Sequence, residues 1–160
     1  METREISQQF DQIFGQIIQF YADGDQILKS RLGKIYRKNR QELILHAGEL
    51  EWIKDSLEET HRKNLARVAE PYVNKIAALA EGLVGCRNEE GEEEIIGNIS
   101  CVTELMVEEF IEEEALYFVK VRDAECTFSD RIEKLLKTFE PDVLGSFMLS
   151  LVPQFDSTIN

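Results

Sequence analysis

Two histidines and three cysteines are the side chains best suited to metal or nucleophilic chemistry in this 160-residue chain. His61 follows Glu58 at the i, i+3 interval that carboxylate-bridged di-iron bundles use. Such sites take two Glu-x-x-His pairs and two further helix-borne glutamates. One pair alone occurs here, so Glu58-Glu59-Thr60-His61 reads as an exposed charged turn. His46, between Leu45 and Ala47, reads as a core or boundary histidine. Cys86, Cys101 and Cys126 are widely spaced and form no Cys-x-x-Cys. They make neither a disulfide framework nor a zinc site, and they fit reduced thiols in the cytoplasm or nucleus. Gly-x-Ser-x-Gly, Gly-x-Gly-x-x-Gly and Walker-type loops are absent, which removes the phosphate cradles and nucleophile elbows those sequences build. The expectation is a non-enzymatic protein with no cofactor, no metal and no small-molecule substrate.

Charge is the stronger signal. The net charge of -13 is unevenly spread: residues 1–80 hold 12 Lys/Arg and 12 Asp/Glu, residues 81–160 hold 6 and 19. Within the balanced half, Lys29, Arg31, Lys34, Arg37, Lys38 and Arg40 form a basic run with no acid between Gln26 and Gln41. Its counterpart is Glu104, Glu108, Glu109, Glu112, Glu113 and Glu114, a stretch with no base. Runs of this kind either solubilise a helix face or recognise a partner of opposite sign. A cationic amphipathic helix can also lie on anionic lipid or track phosphates. Against that, the acidic balance of the whole chain repels polyanions, and Tyr36 is the one aromatic in the basic run available to stack on bases.

These residues must be carried by helices. Glycine and proline total 12 of 160, with no proline before Pro71, too little punctuation for a many-stranded fold. Ile6, Phe10, Ile13, Phe14, Ile17, Ile18 and Tyr21 share one face of a helix over about 4–21. Asp23-Gly24-Asp25 stops it and caps the next. Over 26–69 the stripe runs through Leu28, Leu32, Tyr36, Leu43, Leu50 and Leu57, with Asn39, His46, Ile53 and Thr60 interleaved as an imperfect coiled-coil seam. Pro71 is expected to restart a helix that Gly85 ends. Residues 87–94, with no apolar member, read as a solvated loop. From Ile95 to Phe139 a second long stripe follows, and its register against 26–69 places 104–114 roughly opposite 63–73. Breaks are expected at Gly48 or near Cys126 if the segments fold back compactly. Glu140-Pro141-Asp142 opens a last helix, stopped by Pro153.

The fold class is therefore all-α, a helical bundle expected to be elongated and built on two long antiparallel helices. A shorter N-terminal and a short C-terminal helix complete it. Residues 1–153 read as a single domain and 154–160 as a frayed tail. Neither a signal peptide nor a transmembrane segment is evident, so an intracellular location is expected. The functional expectation is a scaffold or interaction subunit in a homo- or hetero-oligomer. It would bind protein through apolar helix faces, the two charge runs, and Phe147, Met148 and Leu151 of the last helix as a docking element or a lid. The alternative is a nucleic-acid or anionic-membrane binder using 29–40.

Overall fold

The computed structural model describes residues 3–155, with side chains placed through Leu151. Four helices follow in order: α1 (Thr3–Tyr21), α2 (Gln26–Gly85), α3 (Glu89–Leu135) and α4 (Pro141–Phe155). There is no strand among the described residues. The chain divides into two compact units, Met1–Asp55 with Lys120–Asn160, and Ser56–Val119.

The turn between α1 and α2 is built as its sequence predicts. Gly24 takes φ +77°, a conformation that costs L side chains energy and glycine little. Asp25 Oδ1 then accepts from the Leu28 amide at 3.0 Å, satisfying one of the amides that the start of a helix leaves unpaired. In the first unit α1 packs on α4 and on the early turns of α2. Ile6, Phe10, Phe14, Leu32, Tyr36, Leu43, Leu50, Phe128, Ile132, Phe139, Phe147 and Leu151 are buried in one cluster. Phe14 stacks on Tyr36 at 4.0 Å between ring centroids. The seam positions Tyr36, Leu43 and Leu50 are thus core. Within this unit α2 and α3 run antiparallel, with Arg131 Nη1 donating to Glu49 at 3.0 Å.

The second unit is an antiparallel hairpin of α2 and α3 alone. The His61–Glu114 and Tyr72–Glu109 hydrogen bonds set its register, and a Cβ on Gly82 would meet Ile95 Cδ1 at 3.5 Å. This is close to the register expected from the stripes.

Three local expectations are corrected. Pro71 lies inside α2 and does not restart it. Its missing N–H frees the Arg67 carbonyl, a loss of about 3 kcal/mol in a helix interior. Around Pro71, Val68, Tyr72 and Ile76 are partly buried, and the Tyr72 hydroxyl donates to Glu109 of α3. Residues 89–94 belong to α3 and are not a loop; the turn is Cys86-Arg87-Asn88. Asn88 Oδ1 accepts from the Gly91 amide at 2.6 Å, and the first-turn acids Glu89, Glu90 and Glu92 sit where the helix dipole favours negative charge. Finally, α4 continues past Pro153, its expected stop, to Phe155; α2 and α3 run unbroken through Gly48 and Cys126, as expected for two long helices. Residues 156–160 of the expected tail lie outside the described residues.

Candidate functional site

A two-helix hairpin has no third layer to close over it, and the second unit shows the consequence. No side chain between 56 and 119 is fully buried; the inward residues, such as Leu65, Val68, Ile76, Met106 and Phe110, are only half-buried. Meanwhile Leu105, Val107, Ile111, Leu116, Phe118 and Val119 stand largely in solvent, Ile111 at 63% and Phe118 at 62% exposure. The first unit buries its apolar stripes, although Phe20, Ile27, Leu45, Trp52 and Leu149 stand exposed on it as well. Scattered exposed apolar residues are ordinary; here they recur along a single hairpin.

The acidic run lies on this hairpin. Glu109 Oε1 accepts from the Tyr72 hydroxyl at 2.6 Å, and that bond is the first cause holding the Tyr72 phenol above its usual range. Glu114 meets His61 Nε2 at 2.9 Å. His61 also stacks on Tyr117, 4.3 Å between centroids and 7° between planes. It therefore sits between the helices, which corrects its expected place on an exposed turn. Glu104, Glu108, Glu112 and Glu113 are in no ion pair among the described residues. Glu104, Glu108 and Glu112, spaced by four, form an exposed ridge along α3. Residues 56–119 hold 15 Asp/Glu and 5 Lys/Arg, so this unit carries -10 of the chain's -13.

The basic run lies in the other unit, so the two runs do not come together within either. Arg31 pairs with Glu140. Arg40 grips Asp11 with two bonds of 2.8 and 3.0 Å, while the Tyr36 hydroxyl donates to the same carboxylate at 2.7 Å. The Arg40 hydrogen bond is the main cause holding Asp11 below the usual carboxylate range. Burial, then the Asp11 bond, push the Tyr36 phenol well above its ordinary value. Arg37 covers Gly33, its Nη1 3.2 Å from where a Cβ would stand. Lys29, Lys34 and Lys38 remain in solvent. Lys38 joins two lysines that the sequence pattern does not mark, Lys134 and Lys137, around a cleft of about 410 Å³ with Asn39 and Thr138.

Phe147 and Leu151 are fully buried, and Met148 packs against the same core. These three side chains hold α4 to its own unit, the lid arrangement; Phe147 and Leu151 present no surface, while Met148 stays partly exposed. Elsewhere in the first unit, Glu125 is the one buried charged residue among those described, with Lys54 Nζ at 3.4 Å. His46, Glu49 and Arg131 line a neighbouring cleft of about 200 Å³. All three cysteines are free thiols. Among the described residues no group of three or more metal-ligating side chains is gathered, and no helix is long and apolar enough to cross a membrane.

The chain matches no protein-family model, no curated protein and no solved structure.

Proposed function

We propose that this protein is a non-catalytic interaction subunit that binds another protein through the 56–119 hairpin. One observation carries the reading: these 64 residues bury no side chain completely, and they hold Val107, Ile111 and Phe118 in solvent. Leaving that surface wet forgoes roughly 25 cal/mol per Å² of apolar area, a gain that a packed partner recovers. The acidic flanks would select orientation and partner, while apolar burial supplies most of the affinity.

The test is affinity purification of the full chain from its native cells, with stoichiometry measured. A protein should co-purify near one-to-one with the wild type. It should be lost from a Val107→Ser, Ile111→Ser, Phe118→Ser variant that still melts cooperatively, and retained by Lys34→Ala, Arg37→Ala, Lys38→Ala. Retention by the first variant contradicts the reading.

A second reading is supported by the cleft of Lys38, Lys134 and Lys137, none of which is in an ion pair among the described residues. Three lysines, from α2, from the end of α3 and from the turn after it, are chemistry for a phosphate-bearing polyanion, extending the basic run 29–40 across the unit. Binding of this kind falls steeply with salt and with loss of each lysine. A salt-independent association rules it out.

A further inference from the structure

We propose that one side of the 56–119 hairpin is the seat for a cationic amphipathic helix supplied by a different protein, which completes a three-helix bundle. This rests on the reading of the chain as an interaction subunit, and it names the partner's chemistry and the side on which it docks.

The seat is built from two stripes. On α2, the exposed residues Ala66, Val73, Ala77, Ala80 and Val84 fall within about 60° of one another at 100° per residue. On α3, the exposed residues Ile96, Val107, Ile111 and Phe118 do the same, within about 60°. The inward face of α2 is centred on His61, Leu65, Tyr72 and Leu79, and that of α3 on Phe110 and Tyr117. The α2 stripe stands about 115° from its inward face and the α3 stripe about 80° from its own, both in the same rotational sense. Because the helices run antiparallel, those rotations carry both stripes to the same side of the hairpin. The cleft of Pro71, Tyr72, Lys75 and Glu109 marks the opposite side, where Leu105 and Leu116 of α3 also emerge. The register puts Ile111 level with Ala66, and Ile96 level with Ala80. Small residues on α2 facing large ones on α3 leave a groove that a third helix can enter closely, as knobs enter holes.

Charge chooses the occupant. Glu70 of α2 and Glu93 and Glu104 of α3 edge this side, all exposed. Arg62, at one end of the α2 stripe, is paired with Glu58 at 3.5 Å. The other bases of α2 in this unit turn elsewhere: Lys63 pairs with Glu59, and Arg67 and Lys75 lie toward the opposite side. A second hairpin of the same kind would bring another -10 against these acids, which disfavours self-association. The chain's own basic helix cannot serve as the guest from a second copy either. Its apolar residues Leu32, Tyr36 and Leu43 are buried in its own core. The partner that fits has an apolar stripe flanked by lysine or arginine.

The experiment titrates the full-length protein with a synthetic amphipathic helix of about 21 residues, leucine on the seam and lysine on the flanks, at about 0.15 M salt. A second peptide replaces each lysine with glutamate. The lysine peptide should bind, and should bind at least about tenfold more tightly than the glutamate peptide. Val107→Ser with Ile111→Ser should weaken it by about tenfold or more, and Leu105→Ser with Leu116→Ser on the opposite side should leave it unchanged. Glu70→Gln, Glu93→Gln and Glu104→Gln together should weaken it and flatten its salt dependence. If neither peptide binds, if both bind alike, or if both pairs of serine variants act equally, the proposal fails. Light scattering of the free protein separates the remaining case. A dimer dissolved by Val107→Ser and Ile111→Ser would make the occupant a second copy, overturning this proposal while leaving the interaction reading in place.

Discussion

His61 Nε2 lies 2.9 Å from Glu114 Oε1, and the same imidazole lies flat on the ring of Tyr117. One side chain of α2 thereby fixes two positions of α3, three residues apart, in a unit with no fully buried side chain of its own. Register in this hairpin rests on a few such directional contacts. His61→Ala should therefore destabilise the hairpin by about 1–2 kcal/mol, and Glu114→Gln by about 0.5–1 kcal/mol. The two should couple in a double-mutant cycle read by chemical denaturation. Strict additivity would show that the contact carries no weight.

Asp11 serves two donors at once, the Arg40 guanidinium and the Tyr36 hydroxyl. Because its carboxyl is held below the ordinary range, first by Arg40, this contribution is present above the unfolded value near 3.9 and is lost as pH falls through the folded one. Asp11→Asn should cost about 1 kcal/mol at pH 7, since the site is half in solvent. The gap to wild type should narrow as pH falls below the unfolded carboxyl value. Tyr36 works in the opposite direction: burial first, then Asp11, raise its pKa. Its contribution is full below the unfolded value of about 10 and declines as pH climbs toward the folded one. Tyr36→Phe keeps the stack on Phe14 and should remove that alkaline decline. Thermal melts across pH check both signs.

Pro71 is carried within α2 at the expense of one backbone hydrogen bond. Pro71→Ala restores the amide that the Arg67 carbonyl lacks, and should stabilise the protein by about 1–2 kcal/mol, after allowing for the freer unfolded chain. A lower denaturation midpoint would show that the proline's ring packing matters more than the missing bond.

Glu125 is fully buried with Lys54 beside it. Removing one partner of a buried pair costs more than the pair contributes, because the other charge is left in a poor environment. Glu125→Ala should cost about 3–5 kcal/mol. The double replacement with Lys54→Met should recover part of that loss, and a denaturant series on the three variants decides it.

The helix ends were legible wherever a single residue type dominates the local physics. Gly24 and Asp25 make a stop and a cap through positive φ and a side-chain acceptor, Gly85 ends α2, and Pro141 starts α4. The register was legible too, because two long apolar stripes joined by a short turn leave few ways to pair. Pro71 and the acids at 89–94 misled for a common reason. Each is locally poor for a helix, and each is overruled by something beyond its window: tertiary packing for the proline, the dipole of a 47-residue helix for the acids. Glu125 falls on the apolar stripe, four residues after Val121 and three before Phe128, but its charge masks that position until α2 brings Lys54 to it. Lys134 and Lys137 likewise gain meaning only when the fold sets them beside Lys38. The exposed stripe of Ala66 to Val84 is silent in sequence because alanine suits solvent and core equally.

Hydrogen exchange on the full chain, free and in the stoichiometric complex isolated from its native cells, tests the central claim most directly. In the free protein, amides of 56–119 should exchange well ahead of the core segments 32–50 and 128–139. In the complex, new protection should concentrate over 66–84 and 96–118. Protection already equal in the free monomer, or gained instead over 29–40 and 134–138, would contradict it.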